Sequence, residues 1–457
     1  MRRRTRCCQR GGVLAQRRSI ALQRACARVA ANNTPLCQKA GPMSRTPEEI
    51  TRAIQELGAA AEPSIIARRR AFHARPELGL EEFRTTEAIC AELDALDIPY
   101  ARPLPTGCVA TLRGTAPDAY GADGTPRRRI LLRADIDALP VEERTGAAYA
   151  SQNPGIMHAC GHDCHIAMLL GALQILRELA DELHGEVRAV FQPAEEIARG
   201  AAAMIGAGVL EGVDGVYGAH IWSEVDAGTV SVEPGPRMAN VDWFRIDIAG
   251  SGAHGAMPQR GADAVVAAAQ VVCALQTVVS RRLDPFEPAV LTVGEIHGGT
   301  ARNVIAGEAH LTGTVRTCSA AAHEQMPQLI EEVAAAAAAA SGCSARLTEY
   351  EVGNPAVVND PASAARARES LIKVLGPAAE AHYPGTMSGE DFSEYLRRVP
   401  GVFAFIGTRN PALGTTWPQH SGCYTVDESV LAPGAMLAAQ YAVDFLAEGQ
   451  SFGDRHQ

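Results

Sequence analysis

The sequence has 457 residues, 47% hydrophobic and 21% charged, which excludes a disordered chain and predicts two or three domains. Its formal net charge of −10 argues against a nucleic-acid-binding protein, because an acidic chain repels phosphate backbones. No run of about twenty apolar residues occurs, so the sequence predicts no membrane span. Twelve irregularly spaced cysteines in a chain of this size are not typical of a secreted disulfide framework, and we expect reduced thiols and a cytoplasmic protein.

Residues 1–42 differ in composition from the rest of the chain. They contain nine Arg, one Lys and no Asp or Glu, so the remainder carries 32 basic and 52 acidic residues, a net charge of −20. We expect a disordered basic extension without chemistry, and Met43 is a candidate start. The Arg-rich, acid-free composition also fits a mitochondrial-type transit peptide, which is the alternative. Next, Thr46, Pro47 and Glu48 predict the N-terminus of a helix, the first of two between 47 and 98.

Three short apolar runs, each followed by polar residues, predict buried strands at 129–135, 187–191 and 215–219. A helix is predicted from Asp163, as its cap, to about Leu179, because apolar residues there recur every three to four positions. Open α/β sheets place their functional residues at the carboxyl ends of strands. The pattern therefore predicts an α/β domain with a site at one sheet edge.

The segment from 238 to 352 follows a different pattern. Its predicted elements have the order β-α-β-β-α-β, which is the ferredoxin-like unit: 241–248, 262–279, 289–296, 308–316, 320–340 and 345–352. Because such a unit is complete in itself, we predict a domain inserted into the first one. The predicted organisation is a 1–42 extension, catalytic parts at 43–237 and 353–457, and the insert at 238–352.

The sequence HACGHDCH (158–165) is the richest cluster of chemically active side chains. Cys160 and His162 are two residues apart at a predicted helix N-terminus, where the helix dipole favours a thiolate. Thiolate and imidazole are preferred ligands of zinc and its neighbours. The alternative interpretation is a capped helix with incidental Cys and His residues.

Further candidate ligands follow the predicted strands. Glu195 and Glu196 come after one strand, so that one carboxylate could bind metal while the other acts as general base; the alternative is a solvated turn. His220 ends another strand and His420 lies in a loop; alone, each is more typically structural or exposed. Taken together, five residues form a ligand set that suits two adjacent metal ions: Cys160, His162, Glu196, His220 and His420. The carboxylate of Asp135 or Asp137 would lie behind the imidazole of a candidate ligand and fix its orientation.

Motifs along nearly the whole chain resemble one family. The chain is similar to the family-20 metallopeptidases (clan MH), in the branch with hippurate hydrolase, auxin-conjugate amidohydrolases and bacterial N-acyl-amino-acid deacylases. HACGHDCH and FQPAEE (191–196) are highly specific, whereas isolated short matches are weak. Further matching segments are HARPELGLEEFRTTE (73–87), RADIDALPVEE (133–143), GAHGAMP (252–258), GGTARNVIAGE (298–308), GTVRT (313–317), SGEDFSEY (388–395) and HSGCYTVDE (420–428).

The resemblance implies a metal-dependent exopeptidase-like catalytic domain with an inserted ferredoxin-like (βαββαβ) lid and dimerisation domain. It implies that the five candidate ligands hold two divalent ions, with Cys160 bridging, and that Glu195 is the general base. It implies that His254 reaches the active site of a partner subunit in a homodimer or higher homo-oligomer. Asn303 and Arg316 would grip the substrate carboxylate. From the residues alone, His254 and Asn303 could equally be turn residues, and Arg316 a rim ion pair.

The implied reaction is hydrolysis of an N-acyl amino acid to a carboxylic acid and a free amino acid. The metals could be Zn, Mn, Co or Ni. Alternatives on the same scaffold are a dipeptidase or an N-acyl-diaminopimelate deacetylase, and alternatives of another class are a non-catalytic ligand-binding homologue or a metal-storage protein. A general base at Glu195 argues against the binding homologue, and the inserted lid with Asn303 argues against metal storage. The chain departs from the branch at Gly422, which stands where proline is usual.

Overall fold

The computed structural model describes residues 45–448. The predicted extension at 1–42 lies outside this range. The helices of the described part are α1 (Pro47–His73), α2 (Phe83–Ala95), α3 (His162–Glu178), α4 (Gly200–Gly206), α5 (Ala264–Thr277), α6 (Ala320–Ala339), α7 (Pro361–Leu375), α8 (Ser393–Leu396) and α9 (Leu431–Ala447). Its strands are β1 (Tyr100–Ala101), β2 (Cys108–Arg113), β3 (Arg129–Asp135), β4 (Glu186–Gln192), β5 (Gly215–Asp226), β6 (Val230–Ser231), β7 (Gly235–Met238), β8 (Asp242–Ala249), β9 (Ala253–His254), β10 (Ala289–Gly298), β11 (Val304–Ile305), β12 (Glu308–Thr317), β13 (Ser344–Val352), β14 (Val357–Asn359) and β15 (Gly401–Arg409).

A seven-stranded sheet carries the larger core, in the order β1-β2-β4-β3-β5-β15-β6. Its four central strands, β4, β3, β5 and β15, run parallel, so that their carboxyl ends meet at one edge. Nearly all residues of β3 and β4 are buried, as expected for strands covered on both faces. One face packs against the helices α1, α3, α7 and α9, and the other faces a smaller core that includes Phe392 and Tyr395.

A separate four-stranded antiparallel sheet has the order β10-β12-β8-β13. Helices α5 and α6 cover one of its faces and bury a second hydrophobic core. Element order and strand order are those of a ferredoxin-like unit, which confirms the predicted fold class. The chain enters and leaves this sheet through adjacent segments, because Gly353 N donates to Val241 O at 2.9 Å. The domain boundaries at 237/238 and 352/353 stay predictions.

The start of α1 has the predicted capping residues. Thr46 accepts a hydrogen bond from Glu49 N, the Glu49 side chain accepts one from Thr46 N, and Pro47 occupies the first helical position. The predicted cap of α3 was wrong. Gly161 is the N-cap residue, and Asp163 lies inside the first turn, where its carboxylate contacts Arg69.

Two helical segments of the described part are long and apolar enough to cross a membrane by length and composition alone, 264–282 and 428–447. The share of buried residues is 83% in the second segment, as in the core helix of a globular domain, and 33% in the first. The first segment contains α5, whose buried residues pack on the four-stranded sheet. Neither segment is an uninterrupted apolar run in the sequence.

Candidate metal and active site

The five predicted ligands come from four different segments at the carboxyl edge of the central sheet. Cys160 and His162 flank the start of α3, Glu196 follows β4, His220 lies within β5, and His420 lies in the loop between β15 and α9. β5 is longer than predicted, so His220 is inside the strand and not at its end. The fold thus brings together residues that are far apart in the sequence.

The candidate ligand atoms lie close to one another. Cys160 Sγ is 3.3 Å from His220 Nε2, and Glu196 Oε1 is 3.9 Å from His162 Nε2 and 3.5 Å from His420 Nε2. Cys160 belongs to two groups whose ligand atoms all fall within 4.8 Å, one with His162 and His220, the other with Glu196 and His420. The thiol therefore stands between two potential binding positions.

These residues fit a bound cation. In the described part of the chain, His162 Nε2 and Glu196 Oε1 are buried atoms without a hydrogen-bond partner, although both are strongly polar. Burial and the carboxylates of Glu196 and Glu195 raise the pKa of the Cys160 thiol well above its usual value. Burial, aided by Asp137 and opposed by His162, raises the pKa of Glu196 to about 7. A cation would satisfy the unpartnered atoms and stabilise the charged forms of these ligands.

Asp137 and Asp135, predicted to support the ligands, lie directly behind them. Asp137 Oδ1 is 3.3 Å from His162 Nδ1, and Asp137 Oδ2 accepts a hydrogen bond from Glu196 N at 3.0 Å. Burial alone would lower the pKa of His162, but Asp135 and Asp137 outweigh it and raise that pKa to about 10. Asp135 Oδ1 is 2.5 Å from Nδ1 of His165, whose ring lies against that of His220.

Gly161 sets the geometry between Cys160 and His162. Its φ of +96° is in the left-handed region, and a Cβ there would lie 2.3 Å from Ile221 Cδ1. Only glycine meets both requirements without strain. The turn directs the two neighbouring side chains toward the same cluster.

We expect Gly161→Ala to lower the free energy of unfolding by about 1–3 kcal/mol and to reduce the metal content of the protein, because strain at this turn displaces both ligands. Urea denaturation and elemental analysis would measure the two effects. The control is Gly206→Ala in α4, where no atom lies within 4 Å of the added Cβ. Equal metal content in Gly161→Ala and the parent would contradict the expectation.

Glu195 lies beside the ligands and against a second acidic group. Its carboxylate, with those of Glu390 and Asp391, forms a set of oxygens within 4.8 Å. Burial and then the negative charge of Glu390 raise the pKa of Glu195 well above its usual value. Arg133 stands behind this set and donates to Glu390 at 3.0 Å and to Asp391 at 2.7 Å. Glu195 is therefore a carboxyl that can hold and release a proton next to the candidate ligands.

The sequence interpretation missed this supporting network. Gln192 donates to Asp391 at 2.8 Å and accepts from Arg133 at 3.0 Å, while Arg133 also donates to Asp135 at 2.5 Å. The sequence feature that could have revealed this network is Arg133, inside the predicted buried strand 129–135, because a buried guanidinium requires acidic partners. The SGEDF segment supplies two of them.

His158 lies behind the site with a buried imidazole that is 1% exposed, and neither ring nitrogen has a hydrogen-bond partner among residues 45–448. Burial, only partly offset by Asp163, lowers its pKa from 6.5 to about 4. Between these values the unfolded chain binds a proton that the folded chain does not. The neutral His158 ring therefore contributes fully to the free energy of unfolding above pH 6.5, and this contribution is lost as the pH falls toward 4.

We expect His158→Phe to flatten this part of the pH profile. The parent should lose on the order of 3 kcal/mol of unfolding free energy through this group as the pH falls below its folded pKa. Urea denaturation at several pH values would measure the slope. Identical slopes in the variant and the parent would show that His158 does not carry the effect.

One cavity of about 660 Å³ opens onto the candidate ligands. Its wall contains Cys160, Glu195, Glu196, His220 and His420. It also contains apolar side chains from several segments, and Arg316 from the four-stranded sheet. The apolar side chains are Ile197, Trp222, Met238, Val241 and Trp243. His162 lies directly behind this wall, fully buried. The predicted substrate contact Arg316 is thus at the same cavity as Glu195.

His254 and Asn303 do not line this cavity in the described part of the chain. They lie next to each other on the inserted unit, where β9 pairs with β11 and Gly255 N donates to Asn303 O at 2.8 Å. His254 Nδ1 accepts a hydrogen bond from Ala256 N at 3.1 Å in an exposed turn. Their predicted roles stay predictions.

The loop that carries His420 is tightly placed. His420 has a left-handed φ of +64°, which is strained for a non-glycine residue, and its N–H donates to Ala159 O at 2.8 Å. Burial and the positive charge of His162 lower the pKa of its imidazole. At Gly422, a Cβ would lie 2.4 Å from Glu142 O, so glycine allows a close approach of the two loops.

Comparison with known proteins identifies the family. Residues 131–444 match the family described as Peptidase family M20/M25/M40. The chain belongs to this peptidase family. It is 42% identical over 376 residues to the N-acetyl-L-cysteine deacetylase of Bacillus subtilis (strain 168), an alignment that covers 81% of this chain and 85% of the relative.

Two further relatives are similar over most of their length. Thermostable carboxypeptidase 1 of Saccharolobus solfataricus is 35% identical over 403 residues, which cover 87% of this chain and 98% of that one. The YXEP protein of Bacillus subtilis, a dinuclear metal-binding peptidase of the same family, is 34% identical in its solved structure. That structure matches with a TM-score of 0.74 and covers 85% of this chain and 99% of the other. The family assignment made from the motifs is confirmed.

Proposed function

We propose that this protein is a metal-dependent amidohydrolase that cleaves the amide bond of N-acyl amino acids to give a carboxylic acid and a free amino acid. The observation that carries the proposal is one cavity whose wall contains four of the five candidate ligands, with His162 directly behind, together with the carboxyl of Glu195 and the basic side chain of Arg316. A binding protein would need no proton acceptor there. The similarity to an N-acetylated amino acid deacetylase supports the same reaction.

In this proposal Cys160, His162, Glu196, His220 and His420 hold two divalent ions, which could be Zn, Mn, Co or Ni. When bound, the ions would polarise the scissile carbonyl and acidify the attacking water. Asp137 fixes the ring of His162 and the backbone at Glu196, so the ligands are oriented before metal binds.

Glu195 is proposed to accept the proton of the attacking water and to deliver it to the leaving amine nitrogen. Its burial supports the second step, since burial and the charge of Glu390 raise the pKa of the carboxyl and favour its protonated form. Arg316 is proposed to bind the α-carboxylate of the substrate from the four-stranded sheet. The apolar side chains of the same wall would receive the rest of the substrate.

We further propose that the enzyme is a cytoplasmic homodimer or higher homo-oligomer, in which His254 and Asn303 act at the cavity of a second copy. Both residues are exposed and, within residues 45–448, neither lines the cavity of its own chain, which supports this arrangement. Mixing two inactive proteins, Glu195→Gln and His254→Ala, and reassembling them tests it. Hybrid oligomers should regain part of the parent activity, whereas His254 acting within its own chain predicts none.

A second candidate activity is cleavage of peptides, because a relative named a carboxypeptidase is 35% identical. Both reactions hydrolyse an amide whose nitrogen side bears a free carboxylate. The deciding experiment is amine release from N-acetyl, N-benzoyl and N-indoleacetyl amino acids and from dipeptides, after chelation and addition of each metal. Faster turnover of dipeptides would favour the peptidase, and no turnover with any metal would contradict the proposed enzyme.

A further inference from the structure

Two histidines lie side by side on the four-stranded sheet, on the face opposite α5 and α6. His297 in β10 and His310 in β12 are direct register partners, and their stacked ring centroids are 4.9 Å apart. The neighbour of His310 along the strand, Leu311, is fully buried against the helices. Since side chains alternate along a strand, the imidazoles point away from that core.

Carboxylates stand on both sides of this pair. Glu295 Oε2 lies 3.8 Å from His297 Nε2 and accepts a hydrogen bond from Thr312 Oγ1 at 2.9 Å. On the other side, Asp247 in β8 is the register partner of His310. His297, His310 and Asp247 therefore form one row across the strands β10, β12 and β8. Glu295 lies two residues before His297, on the same face of the sheet.

The two imidazoles are available for a ligand. Within residues 45–448, no hydrogen bond engages the ring of His297 or of His310, and the His297 side chain is 58% exposed. Asp247, in contrast, is already held by Arg245 at 2.9 Å and by Thr348 at 3.0 Å. Glu295 accepts one hydrogen bond, from Thr312, and its Oε2 already lies 3.8 Å from His297 Nε2, while Asp247 adds fixed negative charge nearby.

We propose that His297, His310 and Glu295 form a surface site for a borderline divalent transition ion such as Zn²⁺ or Ni²⁺. Imidazole is a preferred ligand of these ions, and direct cross-strand partners have Cβ atoms about 4.5–5.5 Å apart, which allows both rings to turn toward one ion. The site is separate from the cavity. His310 and Arg316 are six residues apart on β12, which corresponds to about 20 Å along the strand.

An ion at this site would connect the edge strand β10 to its neighbour β12. Because the ion would bind the folded sheet and not the unfolded chain, it would raise the thermal unfolding midpoint. The site is independent of the proposed amide hydrolysis, since none of its residues belongs to the cavity wall.

The test uses tag-free protein loaded with Zn²⁺ at the cavity and freed of excess metal. Equilibrium dialysis against Ni²⁺ should show one additional ion per chain, and added Ni²⁺ should raise the unfolding midpoint. His297→Ala and His310→Ala should each weaken the additional binding by about tenfold or more, because one imidazole is lost. Both variants should abolish the rise in midpoint.

The matched control is His382→Ala. His382 is an exposed imidazole that contacts one carboxylate, Glu233, and no second histidine of the described range forms a ring contact with it. Its removal should change neither the additional ion nor the midpoint shift. Unchanged Ni²⁺ binding in His297→Ala would overturn the proposal, as would loss of the additional ion in Cys160→Ser, which would assign that ion to the cavity. Failure of amide hydrolysis would leave this result unaffected.

Discussion

Glu195→Gln is expected to lower kcat for amide hydrolysis between about 100-fold and 10,000-fold, the range typical for loss of a positioned acid–base group. The amide keeps the size of the side chain but can neither accept the proton of water nor return it to the leaving nitrogen. Amine release under saturating substrate would measure the effect. Because Glu195 is not among the five candidate ligands, the metal content should stay equal to that of the parent.

Two controls make this result specific. Glu332→Gln is the same chemical change on the exposed part of α6 and should leave kcat unchanged. Glu196→Gln should instead lower the metal content, because Glu196 Oε1 lies among the ligand atoms. Full turnover in Glu195→Gln with intact metal content would disprove its role as general base.

Arg133→Met is expected to lower the free energy of unfolding by about 3–5 kcal/mol, the usual result of breaking a buried ion pair from one side. Arg133 is the cation that faces Asp135, Glu390 and Asp391, and all four side chains are almost completely buried. Methionine fills a similar volume but leaves three carboxyl groups without their positive partner. Urea denaturation of the purified variant would measure the loss.

The matched control for this change is Arg245→Met, on the exposed face of the four-stranded sheet. Its ion pair with Asp247 is partly solvated, so its loss should cost at most about 1 kcal/mol. The loss of unfolding free energy in Arg133→Lys should fall between the losses in the two methionine variants. Lysine keeps the positive charge but lacks the planar guanidinium that contacts Gln192 and the acids at the same time. Equal stability of Arg133→Met and the parent would show that the acids are neutral in the folded protein.

Much of the fold was predictable because the signals are local. The strand predicted at 129–135 has the observed bounds, and the order of elements in the inserted unit follows from alternation, helical spacing and turn residues. The candidate ligands were found because Cys160 and His162 lie two residues apart in a specific motif. The ends of parallel strands then predicted that distant residues such as His220 meet them.

The features that were not predicted depend on contacts between residues far apart in the sequence, which a local sequence pattern does not contain. The cap of α3 was wrongly predicted because Asp163 resembles a typical capping residue, yet its carboxylate is required by Arg69 and His73. Likewise, the position of β15 between β5 and β6 depends on pairing between distant segments. His254 and Asn303 lie outside their own cavity wall, a placement that their motifs do not specify.

The insertion of β15 between β5 and β6 has a consequence for biosynthesis. The ribosome completes 215–231 long before 401–409, so the nascent chain holds an unpaired, apolar strand edge at β5 until nearly the whole polypeptide has emerged. His420 arrives later still. The five candidate ligands are therefore together only after nearly the whole chain has been synthesised, and prematurely terminated chains would expose an aggregation-prone edge.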